Sequence, residues 1–418
     1  MKPKLVFKYL SLFFILLCLI QTIAPAAASS YITPTGEEGL TQDTSMIQDE
    51  MHKFDRNMDV WFMLMLVAFL MLFIKKFEWG VCLATLLTLA GSFISHSAIR
   101  QFVLGQAWNQ DFIIMGIFCA ITVVIAIGVF LGTIKTWQYL LVGILFAPAW
   151  LAIEWFMFTY LEGVVDPGGS MLVHMVAAYW GWGALIAIQE KRSFEEPFDT
   201  TTHSVSFVWL ASMLLFVLWP SFVTALLPGD QVTWGMITTY MAGLGSVVSA
   251  YLTCVAFEKK VNPLVYTYAL LAGMVSIGSP LISVGPWTAL GIGLVAGIIS
   301  ATCFIKLHPW LCEKAGVFDV MGVHNLHGIP GIWGAVAGAI FAAGFVNIIS
   351  LVGVIVISLV TGGITGIILK ATRGEMEQKD LFSDDSIFLG WHPDPEPLPF
   401  RVADEGTPGN TLTSKTVE

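Results

Sequence analysis

From residue 58 to residue 370 the chain alternates long apolar runs with short polar connections. A helix needs about 20 apolar residues to cross the hydrocarbon core of a bilayer. Runs of that order stand at 58–74, 79–99, 111–132, 136–161, 168–189, 205–226, 232–255, 263–283, 285–306, 324–346 and 349–370. The pattern predicts an all-α polytopic membrane protein of eleven transmembrane helices, packed as a compact bundle because the connections are short. Residues 371–418 are polar, acidic and rich in Pro and Gly, and are expected to form a mobile tail.

Composition agrees with the pattern. Only 12% of the 418 residues are charged, against about 25% in a soluble domain, so most of the chain avoids water. The first residues have a different layout: a basic start (Lys2, Lys4, Lys8), an apolar middle and Ala26 to Ala28 at the end. That is the arrangement of a secretory signal peptide, predicted to span 1–28 and to leave 29–57 as an extracytoplasmic segment. Lysine and arginine fall on alternate connections: Lys75 and Lys76, Lys135, Lys191 and Arg192, Lys259 and Lys260, Lys306 and Lys314, Lys370 and Arg373. The intervening connections hold only Arg100. The positive-inside rule then places the mature N-terminus outside and the C-terminal tail in the cytoplasm, as a signal peptide also requires. The six cysteines are scattered and form no Cys-x-x-Cys, which argues against a disulfide framework or a structural zinc site. The low basic content gives no reason to expect nucleic acid.

Eleven spans invite a search for an inverted repeat. The fifth opens DPGGSMLVHMVAAYWG and the tenth opens DVMGVHNLHGIPGIWG, each with an aspartate, a Gly-rich stretch and histidine inside the apolar run. Five spans plus five inverted spans plus one fits that likeness. Counted from the aspartates Asp166 and Asp319, His174 aligns with His327 rather than with His324. Ionisable groups inside a membrane are functional candidates by default. His174, His324 and His327 are therefore candidates to line a narrow apolar path, where imidazole can trade hydrogen bonds with a small polar solute. His324 and His327, three residues apart, are expected near one face of a helix. Asp166 precedes Pro167 and can draw in a cation or cap the fifth helix. Glu154, inside the fourth span, is expected near an outer vestibule or paired with another polar group. Gly328, Gly331, Gly334 and Gly338, with Ala335 and Ala342, form small-residue faces of the kind that let helices approach. The chain has no phosphate-loop motif, no H-E-x-x-H and no arginine ladder, so the residues give no sign of ATP drive, a zinc hydrolase or a voltage sensor.

The two histidine segments closely resemble those of the Amt/Rh ammonium transport family, and the wording GGSM…H…AYWG and GVHNLHGIPG resembles its Rhesus branch. NQDF (109–112) and WPSF (219–222) support the resemblance. It implies a non-enzymatic, cofactor-free transporter, assembled as a homotrimer with one pore in each subunit. Residue by residue, it implies that His174 and His324 are paired pore histidines sharing a hydrogen bond. Asp166 would stand at the outer vestibule, acting structurally and in ammonium recruitment, and Phe112 and Phe222 would be stacked phenylalanines gating the external end. Tyr268 is a departure, since Rhesus proteins often carry Asn there. The expected mechanism is ammonium deprotonated outside and neutral ammonia conducted inside, because transferring a bare ion into low dielectric costs tens of kcal/mol. The alternatives are a channel for carbon dioxide or another small neutral gas, and a membrane redox protein using His174 and His324 as haem ligands. The expected location is the bacterial inner membrane.

Overall fold

A computed structural model describes residues 44–194 and 200–389. The predicted signal peptide, residues 29–43 and the end of the tail lie outside the described residues. Among those described there is no strand. Nine helices are long and apolar enough to span a membrane. They are α2 Glu78–Val103, α3 Gln110–Ile127, α4 Thr136–Tyr160, α5 Ser170–Ile188, α6 Thr202–Val223, α7 Gly229–Glu258, α9 Pro286–Ala315, α10 His324–Ala343 and α11 Phe345–Arg373. The first predicted span is α1 Thr44–Leu70, and the eighth is α8 Pro263–Ser276, built from two short helices. With these the predicted set of eleven is complete.

Two extents differ from expectation. α1 starts well before residue 58, so part of the polar segment assigned to 29–57 is helix continuous with the first span. Residues 374–388, expected to be mobile, are docked onto the end of the bundle that carries Lys75, Lys135 and Arg192. Leu381 and Phe382 are buried there. Gly132 adopts φ 74°, and a Cβ on it would lie 2.3 Å from the Phe382 ring, so only glycine leaves room for this plug. Asp384 accepts hydrogen bonds from the N–H groups of Glu78, Trp79 and Gly80, capping α2 from a distant part of the chain.

The repeat is visible in the packing. α2 lies against α4 in the first half, as α7 lies against α9 in the second, and α1 meets its counterpart α6. The same device closes both intra-half contacts. A Cβ on Gly143 would stand 2.3 Å from the Thr88 carbonyl oxygen, and one on Gly245 would stand 2.5 Å from that of Leu290. Lipid offers no hydrophobic drive for two helices to associate, so close backbone approach through small residues supplies the attraction. α5 and α10 cross at the centre, and α11 packs along α5. The α10 glycines are packing residues as expected: a Cβ on Gly331 would meet the Ser170 carbonyl at 2.8 Å, and one on Gly334 that of Ser276 at 2.7 Å.

Candidate functional site

Both half-repeats open their central helix with a π turn, Ser170–Met175 in α5 and His324–Gly328 in α10. Such widened turns are frequent at functional sites. In α5 the turn begins after Gly169, whose φ of 75° is left-handed, and the His174 N–H reaches back five residues to the Gly169 carbonyl. A buried aspartate holds each turn. Asp166 accepts from the N–H groups of Met171 (3.0 Å) and Leu172 (2.9 Å) and from the Ser279 hydroxyl (2.6 Å). Asp319 accepts from the N–H groups of Val323 and His324 and from the Trp182 indole. Burial pushes the Asp166 carboxyl up to about 7, against the hydrogen bonds from Ser279, Leu172 and Met171. With its oxygens engaged by protein donors and only 5% of its surface exposed, Asp166 is a brace for the turn. Of its two expected roles, these bonds are those of a cap on the fifth helix.

The turns bring His174 and His327 together. Their Nδ1 atoms lie 3.0 Å apart and their rings are stacked, 5.1 Å between centroids. This corrects the pairing implied by the resemblance, in which His324 was the partner. On an α-helix His324 and His327 would diverge by about 60°. A π turn holds more residues, so the same step opens to roughly 110° and sends the two rings different ways. His324 instead meets Tyr179 and Trp182 edge-on, and its Nδ1 is buried without a hydrogen-bond partner. The spacing of eight residues from aspartate to histidine, the same in both halves, was the signal that marked His327.

Around the pair the walls are apolar. Trp219 stacks on His174 at 5.5 Å, and Phe222 stands 5.9 Å from the same ring. Two cavities of about 30 Å³ each adjoin the pair, sharing Val67, Leu70, Ile125, Leu326 and His327. Each has room for about one molecule the size of water. The first reaches His174, Trp219 and Phe222; the second reaches Tyr268, whose hydroxyl donates to the Leu70 carbonyl. His324 lines neither cavity.

The phenylalanine pair is also corrected. Phe222 faces Phe118, 4.9 Å between centroids, not Phe112. Phe112 sits in the first turn of α3, where Asn109 caps its N–H, and packs on Trp108 at 4.2 Å. Six residues further along α3, nearly two turns, is where a ring reaches the cover of the pair. Glu154 is paired, as one of its two expectations held: Arg100 holds both its carboxylate oxygens and also donates to His96 Nε2. Glu154 lines neither cavity beside the histidines. Phe118, Trp219 and Leu326 were missed because an aromatic or leucine on an apolar helix carries no local mark of facing a pore.

These features define a polytopic membrane protein of two inverted five-helix halves, with a buried imidazole pair where the halves meet. The Ammonium Transporter Family profile matches residues 37–379. The chain belongs to that family, and to its Rhesus branch. It is 28% identical to the ammonium transporter Rh type C of Oryctolagus cuniculus, over 90% of this chain and 91% of that one. It is 29% identical to the ammonium transporter Rh type A of Mus musculus, over 77% of each. The solved structure of Nitrosomonas europaea Rh50, described as one of the Rhesus protein family of channels, superposes with a TM-score of 0.80. That match has 30% identity and covers 83% of this chain and 94% of the other. Candida albicans Mep2 shares the fold at 16% identity, with a TM-score of 0.64 and 77% and 83% coverage. Transport of ammonium or ammonia, rather than catalysis, is the activity of this family.

Proposed function

We propose that the chain conducts neutral ammonia past His174 and His327, after ammonium has lost its proton on the outer side of Phe118 and Phe222. The observation that carries this reading is the Nδ1 to Nδ1 contact of 3.0 Å beside two cavities of about 30 Å³. For that contact to be a hydrogen bond, one ring must carry its proton on Nδ1 and the other on Nε2. One free Nε2 is then an acceptor and the other a donor. Ammonia, which both donates and accepts, is matched by the pair; ammonium, which only donates, is not. His174 Nε2 is buried with no protein partner, so its valence is open to a solute. Restoring the tens of kcal/mol that a bare ion loses on leaving water is beyond such a site. Asp166 and Asp319 act as positioning residues that hold the two π turns.

The reading includes a homotrimer with one pore in each subunit, a cleaved signal at 1–28 and the bacterial inner membrane as the location. It places the N-terminus outside and the lysine-rich face in the cytoplasm, from the alternation of Lys and Arg between connections. The test is stopped-flow ammonia uptake by proteoliposomes carrying a luminal pH dye. Wild type should alkalinise faster than protein-free vesicles, and His174→Leu with His327→Leu should change that rate. Wild-type vesicles no faster than protein-free ones, with the protein folded, would refute ammonia conduction and turn attention to carbon dioxide.

A further inference from the structure

A cavity of about 580 Å³ lies away from the histidines, on the lysine-bearing end of the bundle. It is bounded by the start of α2, the first turn of α4 and the docked strap 374–388. Its walls divide by chemistry. Lys135 and Thr136, adjacent at the head of α4, make a polar part, and Leu87, Trp137 and Leu140 make an apolar wall. Leu87 lies nine residues into α2, about 13 Å along the axis, which takes this wall from the headgroup level into the hydrocarbon. Leu86 beside it is 51% exposed on the outer wall of the bundle, so the cavity adjoins a surface that meets lipid. Trp137, at the head of α4, occupies the level at which indoles sit in membrane interfaces.

Charge selects the headgroup. Lys135 has no ion-pair partner among the described residues, and Thr136 next to it brings a hydroxyl, while the Ser386 hydroxyl is spent on the Ser383 carbonyl at 2.8 Å. Asp380, the one carboxylate on the wall, is turned to its own backbone and accepts the Glu377 N–H at 3.1 Å. We infer that this cavity is a binding site for one anionic phospholipid of the adjacent leaflet. Its phosphate sits at Lys135 and Thr136, and an acyl chain runs along Leu87, Trp137 and Leu140. The strap forms the far wall through Met376 and Ile387, so the lipid packs against strap and bundle together. This reading depends on the protein lying in a membrane and not on what passes the histidines.

Trp137 gives a direct readout. The full-length protein is placed in phosphatidylcholine nanodiscs doped with phosphatidylglycerol brominated on its acyl chains, and tryptophan quenching is followed against mole fraction. Wild type should show a component absent from Trp137→Phe and saturating at a lower fraction of brominated phosphatidylglycerol than of brominated phosphatidylcholine. Lys135→Gln should raise the fraction needed about fivefold, the effect of one lysine near an anionic surface. Equal quenching by the two brominated lipids would mean ordinary annular contact and would overturn the site. Loss of the difference in millimolar inorganic phosphate would overturn it too, since the occupant would then be a free anion. So would quenching that Trp137→Phe leaves unchanged. Should Lys135→Gln misfold, Thr136→Val tests the same end, and the comparison of lipids in wild type stands without either variant.

Discussion

Removing His327 should harm the protein more than removing His327 and His174 together. His174 has one ring nitrogen, Nε2, buried without a partner, and its Nδ1 is satisfied only by His327 Nδ1 at 3.0 Å. In His327→Leu both nitrogens of His174 become orphans in a ring that is 2% exposed. Stranding a buried polar group costs about 1–3 kcal/mol, whereas replacing both partners by apolar groups of similar shape is close to neutral. Each single leucine variant is therefore expected to lose about 1–3 kcal/mol, and the double variant less than His327→Leu alone. The coupling energy should be of that same order, about 1–3 kcal/mol. Unfolding in detergent, followed by tryptophan fluorescence, gives all four corners of the cycle. The matching cycle of His174 with His324→Leu should show coupling within about 0.5 kcal/mol of zero. Additivity for His174 with His327, or strong coupling for His174 with His324, would refute the pairing. In uptake assays the double variant loses an acceptor and a donor for the solute. At about 1 kcal/mol for each of the two hydrogen bonds, ammonia permeability should fall about thirtyfold.

Three further outcomes follow from other parts of the molecule. Asp166→Ala strands the N–H groups of Met171 and Leu172 and the Ser279 hydroxyl. It should cost more than about 3 kcal/mol, while Asp166→Asn, whose oxygen can accept both N–H groups and whose amide can donate to Ser279, should cost less than half as much; equal losses in thermal unfolding would show that Asp166 does not brace the turn. Gly143→Val places a Cβ 2.3 Å from the Thr88 carbonyl oxygen and should separate α2 from α4, read as loss of the monodisperse peak in size-exclusion chromatography, while Gly291→Ala, where a Cβ would meet nothing within 4 Å, should keep that peak. Glu190 clamps Arg192 and Arg373 beside the strap. Burial alone would raise its carboxyl, but the Arg192 hydrogen bonds and the Arg373 charge hold it below the ordinary glutamate value of about 4.3. A depressed carboxyl stabilises the fold above that ordinary value and loses its effect as pH falls through the lower folded-state value. The Tm gap between wild type and Glu190→Gln should stay constant from about pH 5 to 8 and close below about pH 4; a gap that closes near neutrality would refute the assignment.

Much was legible in the residues themselves. Length and apolarity of the runs determined the eleven helices, because a bilayer accepts only segments that satisfy their own backbone over about 30 Å. The likeness of Asp166–Gly181 to Asp319–Gly334 pointed to two inverted halves, and the histidines to a site where those halves meet. Even the partner of His174 was present as a count, eight residues from each aspartate. What the chain could not show was which side chains face one another across the centre. An α-helical reading keeps His324 and His327 on nearly one face, and only the π turn, held open by Asp319 and the packing of α10 on α5, separates them. Phe118 replaced Phe112 opposite Phe222 for a similar reason. Rotation of an apolar helix that is buried over most of its surface is decided by its neighbours and not by any polar stripe of its own. The docking of Phe382 over Gly132 and of Asp384 onto α2 joins residues some 250 to 300 apart in the chain, and a polar, Pro-rich tail composition carries no trace of it. Local sequence sets the period and length of each element. Which faces meet is set by close packing among all eleven, and only the tertiary structure decides it.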